Sequence, residues 1–102
     1  MNIQIIETND IKEFSPDGIH STPLLDDNNI RTLLLNLDTN QVVGPCQMDV
    51  PVIYYVIEGQ GHLRVGDEQA KLQTGSLVVV PVEEVRSITA DKHIRVLAVQ
   101  VL

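Results

Sequence analysis

The fold is decided by the stretch NQVVGPCQMDVPVIYYVIEGQG, residues 40–61. Asp38-Thr39-Asn40 turns the chain into it. Val52 to Ile57 is apolar at odd and even positions alike, the pattern of a strand covered on both faces. Glu58-Gly59-Gln60-Gly61 then reads as a hairpin turn. Past it, Leu63 and Val65 point one way and His62 and Arg64 the other. Gly66-Asp67-Glu68 turns again, and Ala70 and Leu72 continue the inward parity.

The same grammar extends in both directions. Upstream, Ile30 to Leu37 sets Leu33, Leu35 and Leu37 on one face and Thr32 and Asn36 on the other. Ile19 to Leu25 lies between two turn clusters, Ser15-Pro16-Asp17-Gly18 and Asp26-Asp27-Asn28-Asn29, and reads as a strand. Ile3 to Ile6 reads as a short first strand, broken by Thr8-Asn9-Asp10. Downstream, Thr74-Gly75 introduces Leu77 to Val80, a run of buried type ended by Pro81. Val85 to Thr89 and Ile94 to Val101 complete the series. About eight to ten short strands at regular spacing predict an all-β sandwich, barrel or jelly roll. Gly, Pro and Asn-Asp clusters recur too often for helical periods to develop.

The chain has 102 residues, with no repeat, linker or low-complexity tract, so one domain over residues 1–102 is expected. Its aromatic residues are Phe14, Tyr54 and Tyr55, so the core must be built from Val, Leu and Ile. The formal charge of −7 disfavours nucleic acid and anionic membranes as partners. The longest apolar run, Leu77 to Val82, is far short of a membrane span. No secretory leader is read at Met1-Asn2-Ile3-Gln4. One cysteine, Cys46, excludes an internal disulfide and a paired-cysteine zinc site, and fits a reducing cytoplasm.

Residues 40–59 and GSLVVVPVEEVRSITA, residues 75–90, together resemble the two motifs of the cupin family. Gly59, Gly61, Gly75 and Pro81 stand where that family has them, and the fifteen residues from Gln60 to Thr74 match the usual gap. Asn40 replaces the first glycine, a mild change because Asn tolerates left-handed backbone angles. The resemblance covers residues 30–101 well and the first thirty weakly, and implies a cupin-type jelly-roll β-barrel. The ligand positions depart from the pattern. Cys46 and Met48 stand at the two histidine positions, Val52 at the glutamate, Arg86 at the last histidine, and Glu83 at a glycine. Such metals need three or four His or carboxylate donors; Val52 offers none and Arg86 is a fixed cation. No metal or other cofactor is therefore expected.

Strand parity sets Cys46, Met48, Val52, Tyr54 and Val56 on one face, which the resemblance makes the barrel lining. Arg86 joins them from the facing motif, so Cys46, Met48, Tyr54 and Arg86 are the expected ligand-binding residues. Arg86 reads either as an anchor for a carboxylate or phosphate, or as a structural cation paired with Glu83 or Glu84 or snorkelling from the barrel mouth. Cys46 reads as a nucleophile activated by Arg86, as a soft copper ligand with Met48, or as a small buried hydrophobe. Tyr54 shapes the pocket or supplies a proton, as in epimerase relatives of the fold. His20, His62 and His93 form a metal set only by count. Glu83 and Glu84, at the pocket rim, are further candidates for chemistry.

Three functions follow. The first is a metal-independent cupin binding a small anionic molecule. The second is an isomerase or lyase acting on a sugar or organic acid through Arg86, Tyr54 or Cys46. The third is an interaction or accessory subunit. Ile53, Tyr55 and Ile57 form an apolar outer face that must be covered by the N-terminal strand or by a second subunit, and a homodimer is expected.

Overall fold

A computed structural model describes residues 3–102. Seven strands form it: β1 (His20–Asp26), β2 (Ile30–Leu37), β3 (Val42–Cys46), β4 (Val52–Val65), β5 (Glu68–Gln73), β6 (Leu77–Val80) and β7 (Arg86–Val101). All pairings are antiparallel. The architecture is all-β, as the spacing of turns predicts, and of the jelly-roll type that the motif resemblance implies.

Two long strands hold the jelly roll together, because each serves both of its layers. The first half of β4 pairs Val52 to Val56 with Gln100 to Val96 of β7, and there β2 flanks β7 and β6 flanks β4. The second half pairs Gly61 to Val65 with Ala90 to Arg86, where β3 flanks β7 and β5 flanks β4. Between the halves the register slips twice, at Val56/Glu58 and at Gly59/Gly61. Extra residues at such bulges bend a strand and re-aim it.

The hairpin expected at Glu58-Gly59-Gln60-Gly61 is therefore absent, and β4 runs straight through it. The glycines serve close approach instead of reversal. A Cβ on Gly59 would lie 2.1 Å from the His93 carbonyl oxygen, and one on Gly61 would lie 2.4 Å from that of Thr89. Only glycine lets β7 come this near. For the same reason the two terminal segments read as separate strands are one, β7. Where about eight to ten short strands are expected, the described residues form seven, of which β4 and β7 are long.

Inward-facing residues of both layers make one core: Leu35, Leu37, Val52, Val56, Leu63, Leu72, Ile88, Ile94 and Val96 are all buried. Each such side chain removed from water contributes roughly 1.5–3 kcal/mol. Ala70, read as inward, is exposed at the open end of β5. Leu77 to Val80 is not buried on both faces: Leu77 and Val79 are each 63% exposed, whereas Val80 is buried. β6 is an edge strand covered on one side only.

Ile3 to Ile6 forms no strand, since no neighbour pairs with it; a short 3₁₀ turn follows at Thr8–Asp10. The segment after it lies on the outer face of β2 and β7. Asn36 Nδ2 donates to the carbonyls of Ile11 and Glu13, both at 3.0 Å. Arg95 Nη2 donates to those of Thr8 and Ile11, and Gln41 Nε2 to that of Ser15. Leu34, Asn36 and Arg95 are fully buried as a result. These hydrogen bonds leave Tyr55 of the outer face 42% exposed.

Candidate functional site

Arg86 opens β7 with its side chain directed into the barrel, where it is 2% exposed. Its Nε donates to Tyr54 Oη at 3.1 Å, and Nη1 lies 3.4 Å from the Glu84 carbonyl oxygen. The guanidinium carbon stands 5.7 Å from the centre of the Tyr54 ring. Tyr54 comes from β4 in one layer, beside Ala98 and Val78; Arg86 comes from the other layer, beside Cys46 and Val65. The Arg86–Tyr54 bond thus links the layers through the barrel interior.

Neither structural role read for Arg86 fits. It is too buried to snorkel, and no carboxylate among the described residues lies within 4.0 Å of it. Glu84 meets it through its main chain alone, with the carboxylate turned to solvent. A buried cation without a counter-charge costs several kcal/mol. Burial holds the Tyr54 phenol above its ordinary range, against Arg86, whose hydrogen bond and charge pull it down. Tyr54 therefore stays protonated and neutral at physiological pH.

Cys46 is the cross-strand partner of Arg86 and is half-buried. The structure thus gathers Cys46, Tyr54 and Arg86. Met48 packs partly against the core and lines a cleft of about 380 Å³ with Gln47, Asp49 and Glu83. Glu83 holds that corner: its N–H donates to the Met48 carbonyl at 2.9 Å, and its own carbonyl accepts from Gln47 Nε2 at 2.8 Å. It stands at the motif's glycine position and still adopts the glycine-like backbone, φ 68°, as does Asn40 at φ 68°.

The histidines lie apart from this site. His62 pairs with Asp91 at 2.9 Å, and His93 stacks on Phe14 with Glu58 3.7 Å away. Among the described residues no three of His, Cys, Asp and Glu come together as a metal would require. Nor do the residues at the motif's ligand positions fit a metal: Arg86 is a hydrogen-bonded cation and Val52 is buried hydrocarbon.

One neighbour escaped the sequence reading. Val65 is opposite Arg86 on one side and Glu68 on the other. The two-residue turn Gly66-Asp67 forces this register, so the signal was available in the spacing. Val65 and Glu68 line a cleft of about 580 Å³, with Leu63, Val78 and Val80 on its walls.

No protein-family model and no curated protein matches the sequence. Solved structures do match it. A cupin superfamily protein from Desulfitobacterium hafniense superposes with TM-score 0.88 at 13% identity, over 97% of this chain and 91% of the other. This chain has the cupin fold. An RmlC-like cupin from Desulfovibrio desulfuricans agrees, with TM-score 0.87 at 16% identity over 98% and 97% of the two chains. So does a protein from Thermus thermophilus, with TM-score 0.90 at 20% identity over 97% of each. In cupin terms, Arg86 and Tyr54 meet inside the barrel and Cys46 flanks them.

Proposed function

We propose that this cupin is a metal-independent binder of a small anionic molecule, with Arg86 as the anchor. The observation that carries the reading is a guanidinium inside the barrel that is 2% exposed and has no carboxylate partner among the described residues. Arg95, buried and likewise without a carboxylate, lies instead on the outer face under the N-terminal segment. Arg86 is the cation that the barrel interior holds. The third nitrogen of Arg86, Nη2, has no hydrogen-bond partner among the described residues. An arriving carboxylate or phosphate would supply the missing counter-charge through charge-assisted hydrogen bonds. Tyr54 and Cys46 would line the site, and Met48 its margin. The single cysteine suits a reducing cytoplasm, and no helix among the described residues is long and apolar enough to cross a membrane.

The test is the melting temperature of the protein with added hexanoate or inorganic phosphate. Binding to the folded state raises it by mass action. Arg86→Met should remove the rise. A rise that survives the substitution, or no rise with any anion, overturns the reading. Elemental analysis checks the other half: near one equivalent of a metal per chain contradicts metal independence.

The protein is also proposed to act as a homodimer. In the outer face of the first layer, Tyr55 lies between Leu77 and Leu97, and Ile53 between Val79 and Val99. These six residues carry no charge, on a chain of net charge −7. An uncharged patch lets two like-charged copies meet with little repulsion in a two-fold interface.

A further inference from the structure

Resting on the anion-anchor reading above, we propose that the ligand is a zwitterion with an apolar middle. Its carboxylate would meet Arg86, its hydrocarbon would lie over Val65, and its ammonium would reach Glu68.

The strand register carries the argument. Arg86, Val65 and Glu68 occupy one row across β7, β4 and β5. Cross-strand partners share a face of the sheet, so cation, hydrocarbon and carboxylate stand side by side. Two strand spacings put the outer members about 10 Å apart at the backbone. Glu68 forms no ion pair with Arg86 or with any other described residue. Neither charge is thus neutralised within the described residues: Glu68 is exposed, and Arg86 is buried with only neutral hydrogen-bond partners.

The neighbouring cleft contains the hydrocarbon and carboxylate members of this row, Val65 and Glu68, while Arg86 stands one strand outside its lining. Its walls are Leu63, Val65, Val78 and Val80, and its rim carries the carboxylates of Asp67, Glu68 and Glu84 with no basic residue. It lies where the layers part: among the described residues β5 and β6 each pair with β4 alone, which leaves a seam between their edges. Leu63 and Val65 are cross-strand neighbours of Ile88 and Arg86; Val78 and Val80 are those of Tyr54 and Val52. The cleft is therefore one strand from both members of the Arg86–Tyr54 pair. A simple anion entering here meets three carboxylates. A cationic group on the same molecule turns that repulsion into attraction.

The experiment compares hexanoate, aminohexanoate and hexylamine by melting-temperature titration of the full chain, Glu68→Gln and Arg86→Met. Aminohexanoate should bind about fivefold more tightly than hexanoate, the scale of exposed charge pairs. Glu68→Gln should erase that preference while hexanoate binds at least as well as before. Arg86→Met should abolish binding of both carboxylates. Equal affinity for hexanoate and aminohexanoate overturns the zwitterion and leaves the anion anchor standing, as does a preference that Glu68→Gln does not change. Binding of hexylamine alone overturns both, and so does the absence of binding by any of the three. Should Arg86→Met fail to fold, the comparison on the unaltered chain and on Glu68→Gln still decides, since Glu68 is exposed.

Discussion

Arg86 and Tyr54 are 32 positions apart in sequence and joined by a buried hydrogen bond of 3.1 Å, with the guanidinium donating to the phenol oxygen. The bond makes the two residues unequal in their effect on stability. Tyr54→Phe removes the acceptor and leaves a buried charge with less to bind, at a cost of about 1.5–3 kcal/mol. Arg86→Met also breaks the bond and leaves Tyr54 Oη without its partner, but it removes the buried charge, and the two effects offset to within about 1 kcal/mol. Urea denaturation should rank Tyr54→Phe below Arg86→Met. The opposite order would mean that Arg86 is a structural mainstay.

Burial raises the Tyr54 phenol above 10.0 in the folded state, so the folded chain holds that proton more tightly than the unfolded one. This contribution to stability is complete below the unfolded value and is lost as pH rises through the folded value. Tyr55→Phe leaves Tyr54 as the one tyrosine of the chain. In that variant, the ultraviolet phenolate band should reach its midpoint above 10.0, the unperturbed value. A midpoint below it would contradict the burial.

Gly59 adopts φ 107° with the His93 carbonyl oxygen 2.1 Å from where a Cβ would stand. Gly59→Ala should cost at least about 3 kcal/mol, because left-handed strain adds to a clash with backbone. A thermal melt within a few degrees of the parent would show that β7 does not sit so close.

Glu83 presents the opposite case, a non-glycine residue at φ 68° in a conformation suited to glycine. Glu83→Gly relieves strain but frees the unfolded chain, so a net gain of up to about 1 kcal/mol is expected. The hydrogen bonds to Met48 and from Gln47 use only its main chain and are retained. Chemical denaturation reads the difference, and a large loss would give the exposed carboxylate a role of its own.

Leu77 and Val79 are 63% exposed on the proposed dimer face. Leu77→Asp with Val79→Asp should halve the sedimenting mass and shift monomer stability by no more than about 1 kcal/mol, since each replaces an exposed side chain. A parent chain that already sediments as a monomer refutes the dimer.

The sequence by itself determined the class of fold. The face shared by Leu33, Leu35 and Leu37 and the turn at Asp38-Thr39-Asn40 are local features that the structure reproduces. Leu34 and Asn36 opposite are buried as well, however, and the turn read at Gly66-Asp67-Glu68 ends before Glu68, the first residue of β5. Asn40 and Glu83 both adopt φ 68°, a backbone suited to glycine, at the two positions where the motifs of the resemblance have glycine. Only the tertiary structure decided the rest. Gly59 and Gly61 read as a hairpin turn, and their use for close approach instead was set by β7, some thirty residues downstream. The bonding of Arg86 was also beyond local reading. Its nearest carboxylates in sequence, Glu83 and Glu84, point to solvent, while its hydrogen-bond acceptor Tyr54 arrives from the other layer. Parity tells which face a side chain occupies; what stands opposite that face is set by how two bent strands cross the whole barrel.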